Sequence, residues 1–313
     1  MSRRNRWIAV GSVALLALLV AGLLGLAQAL PGKSDPAPRA RGRLKVLTAN
    51  IRLPMPQDKG ERSWEARRDV LAAVLHSEQP DILGTQETSP AQLAFLVQTL
   101  QGYGYVPQDT SNEGMFGALV DLVSALNTVF YRKDRFELLD SAHGPLRPAD
   151  LQANPSENAF YTLAVLRDKS GAFGELIVVS TQLRHGVPNA IKSAERVHPV
   201  LAAELKKYPG ARCIVTGDMN HTADTPIHAA LIGPAGSSTL LRDTFDYAAQ
   251  PANQNWGTYH AFTGRAGERL PIDQILVSPG LKTTPAEIIR AHDPTTGAWP
   301  SDHFFVMTTI RAK

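Results

Sequence analysis

The chain has 313 residues, of which 43% are hydrophobic, and it carries a formal net charge of +3. A chain of this length can bury a large core, and we expect one large domain. Three of the 32 basic residues lie within the first 30 residues, which contain no acidic residue, so the remainder is neutral with 29 charges of each sign. That neutrality argues against a protein that tracks along nucleic acid, because such proteins usually carry a basic excess. The single cysteine, Cys213, excludes an internal disulfide.

The first segment of the chain is typical of membrane targeting. Arg3, Arg4 and Arg6 precede Trp7–Leu30, which has no charged residue. Its length approaches the roughly 20 residues that span a bilayer as a helix, which favours an uncleaved anchor. The small-x-small sequence Ala27-Gln28-Ala29 favours a cleaved signal peptide instead. Both alternatives predict a secreted or extracytoplasmic protein, which contacts the membrane through this segment if the segment is not cleaved.

We divide the chain into residues 1–30 (signal peptide or membrane anchor), residues 31–43 (a linker rich in proline and arginine) and residues 44–313 (a folded domain). The predicted strands of the domain are Leu44–Ala49, Asp81–Gly84, Thr128–Tyr131, Tyr161–Leu166, Leu176–Thr181, Cys213–Thr216, Gln274–Val277 and Phe304–Ile310. The predicted helices run from Ser63 to about His76, over Ala91–Leu100 and over about Asn189–Lys207. Strands mixed with helices in this way predict an α/β domain whose sheets are covered by helices.

Polar side chains occur where several predicted strands end or begin. Asn50, Glu87 and Asp218 each follow a strand, and Asp302-His303 directly precedes the last one. Residues at strand ends can converge on one rim of a sheet. We therefore expect these side chains to meet at one site.

The residue types at these positions are those of metal-assisted chemistry on phosphate. Glu87 and Asp302 are hard oxygen donors of the kind that Mg²⁺ or Mn²⁺ prefers. Asp218 can orient or deprotonate an attacking water. His303 can donate to a phosphate oxygen or transfer a proton, and Asp273, which is costly inside an apolar strand unless it is paired, could orient that imidazole.

Eight short motifs, in their order and spacing, make the chain resemble the endonuclease/exonuclease/phosphatase superfamily, also called the DNase I-like hydrolases. They are Thr48-Ala49-Asn50-Ile51-Arg52, Trp64-Glu65-Ala66-Arg67-Arg68, Pro80-Asp81-Ile82-Leu83-Gly84-Thr85-Gln86-Glu87, Val129-Phe130-Tyr131-Arg132-Lys133, Gly217-Asp218-Met219-Asn220, Thr258-Tyr259-His260, Ile272-Asp273-Gln274-Ile275 and Ser301-Asp302-His303. The resemblance covers nearly all of residues 44–313 and implies that this part is the catalytic domain. It also implies a four-layer α/β sandwich, in which two packed mixed sheets are flanked by helices.

The resemblance further implies roles for individual residues, in a reaction in which water attacks phosphorus in line with the leaving group. Asn50 and Glu87 would lie at the metal, with Asp302 near it. Asp218 would orient the nucleophilic water and Asn220 would contact the phosphate, while Asp273 would support His303.

One motif departs from the family pattern. Many members have Thr-His-Leu-x-His after the central strand, whereas this chain has Thr181-Gln182-Leu183-Arg184-His185. Glutamine can donate a hydrogen bond to phosphate but cannot transfer a proton at neutral pH. Help from a general acid would then have to come from His185, His303 or a metal-bound water.

The sequence thus predicts an exported phosphoesterase that depends on Mg²⁺ or Mn²⁺ and acts as a monomer, with small-molecule or lipid phosphodiesters slightly favoured. An extracellular nuclease is the first alternative, and it would require a local basic groove beside the site. A noncatalytic binding module that kept the fold is the second. We expect the Arg67-Arg68 pair to be a solvated helix face and place His260 as a candidate rim residue.

Overall fold

The computed structural model of the protein describes residues 42–108, 126–146, 159–185, 189–249, 255–267 and 269–312. In these ranges no helix is both long enough and apolar enough to cross a membrane. The predicted targeting segment at residues 1–30 and most of the linker lie outside the described residues, and the predicted division of the chain into three parts stays a prediction.

Thirteen strands and four α-helices are described. The strands are β1 (Arg43–Asn50), β2 (Ile82–Thr88), β3 (Tyr103–Pro107), β4 (Leu126–Arg132), β5 (Phe136–Pro145), β6 (Phe160–Asp168), β7 (Glu175–Gln182), β8 (Arg212–Asp218), β9 (Arg242–Asp243), β10 (Asp273–Val277), β11 (Lys282–Thr283), β12 (Glu287–Ile289) and β13 (Phe305–Arg311). The helices are α1 (Trp64–Glu78), α2 (Pro90–Thr99), α3 (Asn189–Lys207) and α4 (Pro226–Ile232). All eleven predicted elements are present, most of them with bounds a few residues longer.

The strands form two mixed sheets. The first has the order β11-β13-β1-β2-β4-β3, with β12 also paired to β13, and the second has the order β5-β6-β7-β8-β10-β9. Among the described strands, β1 and β2 are the parallel pair of the first sheet, and β7 and β8 are the parallel pair of the second. The remaining neighbours are antiparallel.

Alternate residues of the central strands point to different layers, as the two-residue period of a strand requires. Val46 and Val178 belong to the apolar cluster between the two sheets. Leu47 belongs to a second cluster with the buried faces of α1 and α2, and Val179 belongs to a third with α3 and α4. The order is helix, sheet, sheet, helix, and the predicted four-layer α/β sandwich is confirmed.

Local chemistry explains why the first two helices begin and end where they do. Ser63 caps α1 by accepting a hydrogen bond from the backbone nitrogen of Ala66 at 3.4 Å, and Gln79 ends the helix with a left-handed φ of 44°. Ser89 and Gln92 form a reciprocal capping box at the start of α2. These caps set both ends of α1 and the start of α2.

The sheets approach closely beneath the strand ends that carry the candidate site. Gly84 faces Thr216 across the sandwich, and a Cβ on Gly84 would lie 2.0 Å from the Thr216 hydroxyl. Alongside, Gln86 Nε2 donates to Ser180 Oγ at 3.0 Å, and that hydroxyl donates to the carbonyl of Thr85 at 2.9 Å. A side chain at position 84 would therefore separate the two sheets where their strand ends must meet.

The elements that the sequence analysis missed lie mostly at sheet edges. The edge strand β5 contains Asp140, Gly144 and Pro145, which disfavour strands, and most of its residues are at least partly exposed. The edge strand β3 is short, and its Gly104 is packed against the ring of Tyr131. Pairing with β6 and β4, rather than apolar alternation, holds these strands in place.

Candidate active site

The candidate site lies at the rim of the sandwich where parallel strands end together. In the first sheet Asn50, the last residue of β1, pairs with Gln86 of β2. In the second sheet Gln182 of β7 pairs with Asp218 of β8, and Asp273, which begins the antiparallel β10, pairs with the same aspartate. Register within each sheet therefore brings the polar residues of that sheet to one edge.

Unusual backbone conformations occur at this rim. The register of β2 against β4 shifts between Thr85 and Thr88, and Glu87 between them has a φ of 55°. Arg52 and Asn220 are also left-handed, with φ values of 58° and 53°. Such conformations cost energy for residues other than glycine and cluster where a side chain must be aimed. Here the bulge places the Glu87 carboxylate among the polar groups of the rim.

Two amides join a carboxylate of the first sheet to one of the second. Asn50 Nδ2 donates to Glu87 Oε1 and to Asp218 Oδ2, both at 3.0 Å. Gln182 Nε2 donates to the same two oxygen atoms, at 3.0 Å and 3.1 Å. The amides thus hold the two carboxylates next to each other without adding charge.

His303 is fixed from behind by a carboxylate. Its Nδ1 lies 2.8 Å from Asp273 Oδ2, and its Nε2 lies 3.5 Å from Asn50 Nδ2. Burial lowers the pKa of His303, but the charges of Asp273 and Asp218 outweigh burial and raise it to about 10. These acids therefore favour the protonated form of the imidazole.

The electrostatic environment of Asp218 differs from that of an ordinary aspartate. Its side chain is buried, and burial together with the charge of Asp273 raises its pKa to about 7, although His303 acts in the opposite direction. A carboxylate with this pKa can accept a proton near neutral pH.

Glu87 and Asp302 form the other acidic pair of the rim. Burial acts to raise the pKa of Glu87, but hydrogen bonds from Asn50 and Gln182 and the charge of His303 hold it below its ordinary value. Burial raises the pKa of Asp302 even though its Oδ2 lies 3.5 Å from Arg52 Nη1.

Two predicted residues lie at the edge of this cluster. The backbone nitrogen of Asn220 donates to Asp218 Oδ1 at 2.9 Å, and its Nδ2 donates to the carbonyl of Leu183 at 2.7 Å. The side-chain oxygen of Asn220 takes part in neither of these hydrogen bonds. His185 lines the same cavity but is exposed at its mouth. The structure thus brings together Asn50, Glu87, Gln182, Asp218, Asp273, Asp302 and His303, while His185 lies further out.

The polar atoms of the rim include a compact group that could hold a divalent cation. Donor atoms of Asp218, Asp273 and His303 lie within 4.8 Å of one another. The imidazole and Asp273 already form a hydrogen bond, which accounts for the compactness of this group, and Asp273 Oδ1 is buried without a hydrogen-bond partner. Glu87 and Asp302 add further carboxylate oxygens on the side of the first sheet. Four buried or half-buried acids with few cations beside them fit a hard divalent cation.

An open cavity of about 610 Å³ lies over these groups. Its inner wall is the acidic rim, and its outer wall carries Arg184, His185, His221 and Tyr259. The volume is in the range of small-molecule sites.

Arg67 corrects one expectation and is a residue that sequence reasoning missed. The predicted solvated pair is split: Arg68 is exposed, but Arg67 is fully buried. Its guanidinium donates to the carbonyls of Arg62 at 2.8 Å, Ile51 at 3.0 Å, Pro300 at 2.9 Å and Arg52 at 3.1 Å. It therefore ties the segment after β1 to the segment that carries Asp302 and His303.

His260, placed as a candidate rim residue, lies behind the rim. It is buried, stacks on Phe304 with ring centroids 4.1 Å apart, and accepts a hydrogen bond from the backbone of Gly264 at 3.2 Å. Burial lowers its pKa to about 3, so it is a neutral packing residue.

Buried acids, a clamped imidazole and bridging amides on the rim of an α/β sandwich define the class of metal-dependent phosphoric ester hydrolases. The chain belongs to the Endonuclease/Exonuclease/phosphatase family, whose model matches residues 47–303. The resemblance stated from the motifs is thereby confirmed. None of the curated proteins matches this chain.

Solved structures with the same fold cover most of the chain. The endonuclease/exonuclease/phosphatase from Bacteroides vulgatus is 25% identical, with a TM-score of 0.69 over 87% of this chain and 99% of that one. The mannosyl-6-phosphatase of Bacteroides thetaiotaomicron VPI-5482 is 23% identical, with a TM-score of 0.66 over 85% and 99%. The catalytic domain of human Nocturnin is 21% identical, with a TM-score of 0.63 over 87% and 94%.

Proposed function

We propose that this protein is an exported, Mg²⁺- or Mn²⁺-dependent enzyme that hydrolyses small-molecule or lipid phosphoesters by attack of water on phosphorus. The observation that carries the reaction type is Asp218, a buried carboxylate with a pKa of about 7 that faces the cavity beside a second, ionised carboxylate, Glu87.

In this proposal each rim residue has a separate task. Asp218 accepts a proton from the attacking water, and Asn220 donates to the phosphate through the Nδ2 hydrogen that is not donated to Leu183. His303, held by Asp273 through a 2.8 Å hydrogen bond, donates to a nonbridging phosphate oxygen. Glu87 and Asp302, with Asn50 beside them, would hold the metal ion, which supplies charge neutralisation at phosphorus and the leaving oxygen.

The proposed substrate class rests on charge and on the cavity. Beyond residue 30 the chain has equal numbers of acidic and basic residues, which gives no general attraction for a long polyanion. A cavity of about 610 Å³ accommodates a small phosphoester or a lipid headgroup. A structural neighbour named as a mannosyl-6-phosphatase supports a small phosphorylated substrate.

Export is proposed from the sequence of residues 1–30 alone. A basic start followed by the uncharged segment Trp7–Leu30 is typical of a signal peptide or an anchor. Determination of the mature N-terminus by mass spectrometry distinguishes the two, since cleavage would place it near Leu30.

The test is turnover by the full-length protein of a chromogenic phosphodiester, a phosphomonoester, sphingomyelin and plasmid DNA, each with Mg²⁺, with Mn²⁺ and with chelator. We expect metal-dependent turnover of a small or lipid ester that Asp218→Asn abolishes, whereas Asp224→Asn, an exposed acid of the same loop, leaves it intact. Preference for plasmid DNA would favour the nuclease. Folded, metal-binding protein without turnover of any substrate would favour the binding module.

A further inference from the structure

The end of the sandwich opposite the candidate site carries a row of basic side chains. β1 runs from Arg43 to Asn50, so its first residue lies about 23 Å from the rim at 3.3 Å per residue. Arg311 of β13 pairs directly with Arg43 and also with Lys282 of β11. Paired residues point to the same face of a sheet, and like charges placed directly opposite each other are destabilising. The fold therefore holds positive charge together here at a cost in stability.

The turns next to β1 continue this row towards the second sheet. Arg135, in the turn after β4, donates from Nη1 to the carbonyl of Arg43 at 2.6 Å. Lys169, in the turn after β6, donates through its backbone nitrogen to the carbonyl of Arg135 at 2.9 Å. Its Nζ donates to the carbonyl of Lys133 at 2.6 Å. Side chains from both sheets thus contribute to one basic row.

Arg242 of β9 extends the row beyond Lys282. Its Nη2 donates to the carbonyl of Leu281 and to Thr283 Oγ1, both at 3.0 Å, and these two residues flank Lys282 in the sequence. We refer to the exposed cations of the row as the basic strip, which consists of Arg242, Lys282, Arg311, Arg43, Lys169 and Lys133.

The charge of the basic strip is not neutralised by the part of the chain that the structure describes. Nearby, Asp81 is paired with Arg135 at 3.0 Å, and Asp134 is paired with the buried Arg132. Among the described residues, no carboxylate forms an ion pair with a member of the strip. Because the rim carries the buried acids, opposite charges are separated along the sandwich.

The position at which the chain enters the domain indicates what the strip faces. Residues 7–30 are uncharged, and residues 31–42, with three basic residues and one acid, join them to Arg43. An extended linker of 12 residues reaches at most about 40 Å. A bilayer that held residues 7–30 would therefore lie within that reach of the strip. Nucleic acid fits less well as a partner, because the strip lies at the end of the molecule away from the cavity in which a phosphoester would be cleaved.

We propose that the basic strip docks on the anionic headgroups of a lipid bilayer, and that the cavity then faces away from that bilayer. The proposal takes the bilayer from the targeting segment proposed for residues 1–30 and does not depend on the reaction. Each Lys or Arg near an anionic surface strengthens binding by about five-fold, within a Debye length of about 8–10 Å. Docking in this orientation favours small soluble esters over lipids of the same bilayer among the proposed substrates.

The test is acetylation footprinting of the full-length protein in chelator, on vesicles of phosphatidylcholine alone and of phosphatidylcholine with phosphatidylglycerol. We expect the anionic vesicles to slow acetylation of Lys133, Lys169 and Lys282 by at least about five-fold, and high salt to abolish this protection. Lys192, an exposed lysine in the first turn of α3 at the rim end, is the control and should react equally on both vesicles. Mass spectrometry of peptides measures each rate.

Arg43→Gln combined with Arg311→Gln removes two charges from the strip and should restore acetylation of the strip lysines on anionic vesicles. Because these arginines occupy paired positions, the double change should leave the melting temperature unchanged or raise it, which separates lost docking from lost folding. Arg68→Gln combined with Arg265→Gln, two exposed arginines outside the strip, is the matched control and should keep the protection.

Equal acetylation of the strip lysines on neutral and anionic vesicles would overturn the proposal, and so would equal protection of Lys192. Protection by double-stranded DNA without protection by anionic vesicles would assign the strip to nucleic acid instead. Failure of the proposed function is a separate outcome, because the footprint is measured without metal or substrate and does not depend on turnover.

Discussion

At the rim, Glu87 of the first sheet and Asp218 of the second accept hydrogen bonds from the same two amides. Their pKa values nevertheless shift in opposite directions. Glu87 is held below its ordinary pKa, whereas Asp218 is raised to about 7. The difference comes from what lies behind each acid. Glu87 is half-buried and also accepts a hydrogen bond from the backbone of Leu53 at 3.1 Å. Asp218 is fully buried and faces Asp273.

Burial and the like charge of Asp273 therefore raise the pKa of Asp218, whereas the hydrogen bonds from the two amides and the charge of His303 outweigh burial at Glu87. Two carboxylates whose environments separate their pKa values are suited to different tasks. The first sheet supplies an acid that stays ionised, as cation binding requires, and the second supplies one that can take a proton. The following predictions test this division.

The largest effect is expected from Asp218→Asn, which removes the proton acceptor of the second sheet. An asparagine keeps the shape but cannot accept a proton from water, so kcat/KM should fall by about 10³-fold. Steady-state kinetics against Asp224→Asn measures the loss. A fall below ten-fold with an unchanged circular dichroism spectrum would assign the proton to another group.

Arg67→Met tests what holds the acids of the first sheet in place. The change leaves the carbonyls of Arg62, Ile51 and Pro300 without this donor, and a buried unsatisfied group costs about 1–3 kcal/mol. We expect the free energy of unfolding in urea to fall by roughly 3 kcal/mol or more. Arg68→Met, at the exposed neighbour, should change it by less than about 0.5 kcal/mol. Equal effects of the two changes would show that the buried guanidinium does not tie the rim together.

Glu87→Gln tests whether Glu87, rather than Asp218, is the acid that binds the metal ion. Because a carboxylate binds a hard cation more strongly than an amide does, Mn²⁺ affinity should fall by at least about ten-fold. Titration calorimetry at neutral pH measures it, with Glu65→Gln on the exposed face of α1 as the control. If Asp218→Asn weakened Mn²⁺ binding more than Glu87→Gln does, the two acids would have exchanged their tasks.

The smallest effect concerns the stability of the metal-free protein with pH. The native state binds a proton at Asp218 between pH 3.8 and about 7, and one at His303 between pH 6.5 and about 10, where the unfolded chain does not. Stability from these groups therefore falls as pH rises through both windows. The melting temperature in chelator should drop by a few degrees between pH 6.5 and pH 10. Asp273→Asn removes the main partner of His303 and should flatten the upper window, and an unchanged slope would contradict the assignment.

Much of the fold follows from local pattern in the sequence. The apolar runs of β1, β7 and β8 and the Ser63 start of α1 are visible as residue types at fixed spacing, and all of these elements are where the sequence predicts them. The edge strand β5 is not visible in this way, because its polar residues are held by pairing with β6.

The site likewise has features that the sequence could predict and features that it could not. That Asn50, Glu87, Asp218 and His303 meet could be predicted, because strand ends on one rim converge. The burial of Arg67 could not, since four carbonyl partners that satisfy a guanidinium come from three separate segments. Nor could the identical contacts of Asn50 and Gln182 be predicted, as they depend on the distance between two sheets.

By itself the sequence determined the α/β class and the set of polar residues on the rim, because periodicity and the ends of strands are local properties of the chain. The order and spacing of its motifs determined the family, and through that resemblance the four layers of the sandwich. Only the tertiary structure decided which acid stays ionised, which takes a proton and which arginine is buried. Those properties depend on desolvation and on charges brought within a few ångströms by segments far apart in sequence, as when Asp273 is placed beside Asp218 and His303.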